Sequence, residues 1–253
     1  MSVRILFERE LQNRGLRYTI DIESGRHAIE VGARQLLVSL DNLQRDVERD
    51  GDTERVSRFV DSIVGATSVS AGLCSADRLY WCVEPNDYED MASFRVPLSD
   101  RVDRALVHLS ADGQLITWAT PDMLEALGLS ESDASSRGFT NLARRLTEST
   151  IEYEEVDGVQ LGFIDTPLPF KASFILAPNL REVVASALGW PLMAVVPDRD
   201  FLYIWAARHS DFIERVGDVV VREFSQASYP ISTEVYEITD TGVRAIGEFP
   251  TGA

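Results

Sequence analysis

Along this chain the spacing of apolar and polar positions changes period several times, and the changes predict a mixture of strands and helices. The clearest stretch runs from Leu192 to Tyr236. Leu192-Met-Ala-Val-Val-Pro197 is an apolar run of strand length, Asp198-Arg199-Asp200 is a short polar turn, and Phe201-Leu-Tyr-Ile-Trp205 is a second run. A segment of helical period ends near Phe224, and Tyr229-Pro-Ile-Ser232 leads into a last run of strand formers. Short apolar runs bounded by turn residues are strands, and a 3.6-residue period is a helix. The unit therefore reads strand, tight turn, strand, helix, strand.

The same reading extends upstream. Ser2 can cap a first helix with Leu6, Phe7 and Leu11 on one face, and Gly15 suits its end. Tyr18 to Ile22 and His27 to Val31 alternate about Ser24-Gly25, as a hairpin with one buried face does. A helical region follows from about Leu40 to Val64, broken or kinked at Gly51; its second half places Val56, Phe59, Val60, Ile63 and Val64 on one side. The small residues Gly65 to Gly72 read as a connection, and Leu79 to Val83 as a buried strand. Ala105–Leu109 and Gln114–Trp118 flank the hairpin signal Asp112-Gly113, and Ile151–Val156 and Val159–Ile164 flank Asp157-Gly158. Thr120-Pro121 opens a short helix that Gly128 ends. Ser130 and Asp133 resemble a capping box ahead of a helix carrying Phe139, Leu142, Ala143 and Leu146 inward. Ala172 to Leu176 is short and apolar. Pro178 opens a periodic helix stopped by Gly189.

Strands joined by hairpins, with helices in clumps, predict an α+β fold with largely antiparallel sheets and helices packed on them. The polar, acidic stretch from Glu84 to Phe94 suggests a division into two closely associated subdomains, 1–90 and 91–253. Pro97-Leu-Ser99 before one strand echoes Pro230-Ile-Ser232 before another, as two strands entered through similar turns, or an old duplication, would.

Composition changes the picture in one respect. With 253 residues, 45% hydrophobic and 26% charged, the chain is ordinary for a globular protein, but its net charge is -17. That charge argues against nonspecific binding to nucleic acid or to an anionic membrane. The acids are dispersed, with the densest groups at Glu84-Asp87-Glu89-Asp90 and Glu152-Glu154-Glu155-Asp157. No apolar run approaches the ~20 residues of a membrane span. Charges interrupt the first ten residues where a secretion signal would be apolar. The two cysteines are too few for a disulfide framework or a four-ligand zinc site. A cytoplasmic location is the expectation.

Several segments together are similar to a known group. Thr120-Pro-Asp-Met-Leu-Glu-Ala-Leu-Gly-Leu-Ser-Glu131, Asn141-Leu142, Ala172-Ser-Phe-Ile-Leu176, Val196-Pro-Asp-Arg-Asp200 and Tyr229-Pro-Ile-Ser232 follow one another in an order that resembles the bacterial YtpQ-like family, domain of unknown function 1444. The resemblance covers most of residues 95 to 240. It implies a bacterial cytosolic α+β protein and carries no activity with it.

Candidate chemistry is sparse. Asp198-Arg199-Asp200 could hold a divalent ion or an anion, yet short polar residues are also what a tight turn between two strands needs. His27, His108 and His209 are far apart, with no ligand partner at helical spacing. There is no Gly-x-x-x-x-Gly-Lys, no Gly-x-Gly-x-x-Gly and no Gly-x-Ser-x-Gly elbow. Cys82 reads as a small buried hydrophobe. Arg144 and Arg145 fall on the polar side of a helix. Trp190, after the Gly189 stop, marks a partner surface if it is exposed. The pattern predicts a non-catalytic binding protein without cofactor or metal: an acidic interaction module, as an adaptor, regulator or immunity-type inhibitor. The expected partner is another protein, a basic one being favoured by the charge, met through Glu152, Glu154, Glu155 and Trp190. The alternatives are an enzyme or small-molecule binder with a loop-built site near Asp198-Arg199-Asp200, and a nucleic-acid mimic.

Overall fold

The computed structural model describes residues 2–20, 26–31, 34–38, 40, 43–44, 47–48, 51–67, 74–87, 93–111, 113, 116–166, 168–227 and 229–251. The Ser24-Gly25 turn, the Asp112 half of the next turn signal, Glu89, Asp90, most of the Gly65–Gly72 connection and parts of the first half of the 40–64 helical region lie outside them. The chain is an α+β protein with antiparallel sheets. It divides into two compact units, 1–73 with 110–115, and 74–109 with 116–253.

In the first unit, helix α1 (Val3–Asn13) starts after an extended Ser2, whose hydroxyl makes no cap bond. Strands β1 (Arg17–Ile20), β2 (His27–Val31) and β3 (Arg34–Val38) form an antiparallel meander. Helix α2 (Glu54–Thr67) follows. Phe7 and Leu11 of α1, Ile29 of β2 and Val56, Val60 and Ile63 of α2 close a single core. At its edge Arg14 joins the helices, donating to Asp61 at 2.7 Å and to the Ser57 hydroxyl at 2.9 Å.

In the second unit, β4 (Leu79–Pro85), β5 (Arg95–Pro97), β6 (Val102–Leu109) and β7 (Ile116–Trp118) form one sheet around β6. Because β4 pairs with β6 along its whole length, the division falls at 73/74 and not near 90. The acidic shift after Val83 lies between two strands of one sheet. Helix α3 (Pro121–Leu127) begins at a Thr120 cap and ends at Gly128, whose φ of 65° is left-handed. Helix α4 (Glu131–Glu148) begins at Ser130. The Ser130 hydroxyl accepts from the Asp133 amide at 3.1 Å and donates to the Asp133 carboxylate at 2.6 Å, so the box closes through side chains.

The larger sheet contains β8 (Thr150–Val156), β9 (Val159–Asp165), β10 (Leu192–Val195), β11 (Tyr203–Ala206), β12 (Glu234–Thr239) and β13 (Gly242–Glu248), in the order β13-β12-β10-β11-β9-β8. Helix α5 (Leu180–Leu188) and a 3-10 segment, Lys171–Leu176, buried from Ala172 onward, cover one face of the sheet. Helix α6 (Phe212–Gln226) covers the other with Phe212, Val216 and Val220. Those three side chains contribute about 1.5–3 kcal/mol each by burial. Strand β10 alternates Leu192 and Ala194 toward the first face with Met193 and Val195 toward the second. Burial on both faces is why this stretch is apolar without interruption.

Candidate functional site

The Asp198-Arg199-Asp200 segment is the turn between β10 and β11, and its polar groups serve the fold. The Asp198 carboxylate accepts from the Asp200 amide at 2.7 Å and from the Tyr229 amide at 3.2 Å. Arg199 exchanges backbone bonds with two other segments: its amide donates to the Tyr229 carbonyl, and its carbonyl accepts from the Ala172 amide. Its side chain turns inward beneath the Tyr229 ring, the guanidinium carbon 3.7 Å from the ring centroid, and donates to Glu84 at 3.0 Å.

Glu84 is the end of a buried polar chain. The Val83 amide donates to the Ser173 hydroxyl at 3.0 Å, Ser173 donates to the Cys82 sulfur at 3.4 Å, and Cys82 donates to the second Glu84 oxygen at 3.2 Å. Arg199 balances the charge from the opposite side. Burial, reinforced by the Glu84 charge, pushes the Cys82 thiol well above its ordinary value. It stays a thiol and a donor, the reverse of what a nucleophile requires. In sequence Glu84 belongs to one of the two densest acidic groups, which the net charge alone would leave in solvent. The structure corrects this: Glu84 is 2% exposed.

A second buried carboxylate gathers hydroxyls. One oxygen of Glu234 accepts from Ser99 at 2.7 Å, from Ser232 at 3.0 Å and from Tyr236 at 2.7 Å. Ser99 also accepts from the Arg101 and Val102 amides, and Ser232 from the Glu234 amide. The echoed Pro-x-Ser segments are thus two like turns whose serines converge on one glutamate, tying the two sheets of this unit together. Burial and the adjacent Glu234 raise the Tyr236 phenol, so it remains a donor.

The histidines do not meet. His27, 1% exposed, faces Glu8 at 3.2 Å and the edge of Phe7. Burial, with help from the Arg78 charge, lowers His108 to about 4, so it is neutral and accepts from the Ser75 amide at 3.2 Å. His209 accepts from Arg208. Among the described residues no three His, Cys, Asp or Glu side chains are placed to hold a metal ion. A groove of ≈ 350 Å³ opens beside Trp81, between β5 and the start of α4, but its lining does not include Arg199.

The acidic segment 152–155 is placed quite differently. It lies on β8, the last strand of the larger sheet, with Glu152, Glu154 and Glu155 all exposed. None has an ion-pair partner among the described residues. Toward the other edge of the sheet, Glu237 and Glu248 are held by Arg244 and Arg101. Directly opposite Glu152 and Glu154 on β9 are Phe163 and Leu161, so these two acids share the α6 face of the sheet. On that face the half-buried rings of Phe163, Tyr203 and Phe201 meet in sequence, edge-to-face and then tilted, with centroids 4.7 Å and 4.1 Å apart. Burial, then the Glu223 and Glu154 charges, raise the Tyr203 phenol.

Trp190 is half-buried and packed against the core, with Arg181 over its ring at 5.8 Å. It is therefore not a free aromatic anchor beside the acids. Arg145 and Arg144, read from sequence as solvated, donate to the Tyr80 hydroxyl and the Asp77 carbonyl. Comparison of the chain with protein-family models, with curated proteins and with solved structures gives no significant match.

Proposed function

We propose that this chain acts by binding a basic protein segment, as an adaptor, regulator or inhibitor, and not by catalysis. The observation that carries this reading is the β8 edge: three exposed carboxylates without an ion-pair partner among the described residues, on a strand that contains no basic residue. The groups that suit chemistry elsewhere support the same reading. Cys82, His108, Glu84, Arg199 and Glu234 are buried and engaged with one another or with backbone. Exposed charges of one sign steer an oppositely charged partner and set its association rate.

The test compares affinity capture from the native cell extract by the wild-type chain and by Glu152→Lys/Glu154→Lys/Glu155→Lys, at low and high salt. A partner bound at low salt, released at high salt and lost on charge reversal supports the reading. A partner retained by the reversed chain refutes it.

A further inference from the structure

We propose that the partner segment adds to the larger sheet as an extra strand along β8, and that the segment alternates basic and apolar residues. This rests on the acidic-face reading above and states how that face would bind.

The geometry follows from the hairpin. Asp157 and Gly158, with φ of 50° and 77°, form a two-residue turn, so Val156 and Val159 are a hydrogen-bonded pair. Pairs then alternate along the ladder. Val156, Glu154, Glu152 and Thr150 direct their backbone groups at β9. The N–H and C=O groups of Glu155, Tyr153 and Ile151 point to the open edge. Among the described residues β8 pairs with β9 alone, and nothing else takes those outward groups.

The charge of its glutamates is the only one of the usual edge protections that β8 carries. Its ladder is continuous for seven residues, without a proline, a lysine or a bulge. The opposite edge strand, β13, is offset by a register shift between Val235 and Tyr236.

Charge selects the occupant. A second copy of β8, added antiparallel about Tyr153, would set Glu152 against Glu154 of the other copy, which repels. A basic strand reverses the sign. Its backbone would pair with Ile151, Tyr153 and Glu155, leaving Glu152 and Glu154 in the non-hydrogen-bonded pairs, where facing side chains approach most closely. Lysines placed there meet the two carboxylates, and their stems lie toward the Phe163 and Tyr203 rings. The alternate guest residues face Ile151 and Tyr153, which is 36% exposed, and these favour an apolar side chain.

The experiment measures binding of labelled Lys-Val-Lys-Val-Lys-Val-Lys-Val to the full chain at low salt, beside two versions N-methylated at every valine or at every lysine. Methylation removes donors and keeps every charge. Methylated valines are expected to weaken binding at least tenfold and methylated lysines to leave it near the parent. Tyr153→Pro, which deletes one outward N–H at an edge where proline is tolerated, is expected to weaken the parent peptide similarly. Should that variant misfold, Ile151→Pro and the methylated peptides still decide. Equal binding of all three peptides, reduced together by Glu152→Gln/Glu154→Gln, would overturn strand addition and leave the acidic face standing. Absence of binding by any of the peptides would also overturn it, with the face then judged by the capture experiment. So would a dimer of the chain that Tyr153→Pro dissociates.

Discussion

Replacing Arg199 by methionine removes the counter-charge from a glutamate that has no water to fall back on. The two side chains are 11% and 3% exposed and meet at 3.0 Å. Two unit charges about 4 Å apart attract by ~4 kcal/mol at an effective dielectric of 20. Breaking a buried pair from one side costs about 3–5 kcal/mol, because the remaining charge is stranded. Loss of the stacking on Tyr229 adds ~1 kcal/mol. Arg199→Met is therefore expected to destabilise the second unit by about 4–5 kcal/mol, and Glu84→Gln by ~3 kcal/mol. The double variant should lose far less than the sum, with a coupling of ~3 kcal/mol. All four tryptophans lie in this unit, so urea unfolding followed by tryptophan fluorescence reads it without interference. For a unit of this size each kcal/mol moves the melting temperature by roughly 2–4 °C, so calorimetry should show the single-variant drop plainly. A cost below ~1 kcal/mol for Arg199→Met, or losses that simply add, would refute the reasoning and return Arg199 to the list of groups available for a ligand.

Three further expectations are separable from this one. His108 has a folded-state value of about 4 against an ordinary 6.5, so between those values the unfolded chain binds a proton that the folded chain refuses. Stability should therefore fall as pH drops through that window, by about 2 kcal/mol at pH 5, and His108→Gln should remove that part of the difference between urea midpoints at pH 7 and pH 5. Gly138→Ala would set a methyl 2.9 Å from Leu106 and 3.0 Å from Trp81, with the Trp81 backbone nitrogen at 3.3 Å. Overpacking of about 1–3 kcal/mol should outweigh the better helix propensity of alanine, read as a lowered melting temperature. Ser99→Ala and Ser232→Ala each take a donor from Glu234 and an acceptor from a turn, at ~1–3 kcal/mol apiece, and their combined loss in urea should depart from additivity because one carboxylate receives both.

Most of this architecture could be read from the chain because local and long-range requirements agree. Asp157-Gly158 takes the positive φ angles that its hairpin demands, Thr120 and Gly128 bracket α3, and the uninterrupted apolar runs of β10 and β11 match their two buried faces. Strand β3 was not visible as one. Leu36-Leu37-Val38 has no period of two and runs into the helical region that follows, so pairing with β2 decides its state. After the lysine the Lys171–Leu176 segment is apolar but for Ser173, which fits a buried helix or strand equally, and burial against the sheet rather than propensity settles it. The place of division was misread because polar composition at 84–94 looks like a linker, while the pairing of β4 with β6 is a contact between residues far apart in sequence.

The candidate site divides along the same line. That Asp198-Arg199-Asp200 is a turn was legible, since the turn chemistry is local. That Arg199 is buried against Glu84 was not, because the two stand 115 residues apart and each alone resembles an ordinary surface charge. Acidic composition alone does not mark which acid goes inside: Glu84 is buried while Asp87 of the same group is exposed. Glu84 is carried inward by Cys82 and Val83 on an apolar strand, whereas Glu152, Glu154 and Glu155 are carried outward by a strand with only two strongly apolar neighbours. A signal did exist in that difference: a single acid closing an apolar run needs a distant partner, while three acids within four residues could not all find one. The same count explains why β8 lies at the edge, for a central strand would have to bury carboxylates on both faces with no arginine to meet them. The charge that sets such an edge against a second copy of itself is the same charge that the proposed basic strand would use.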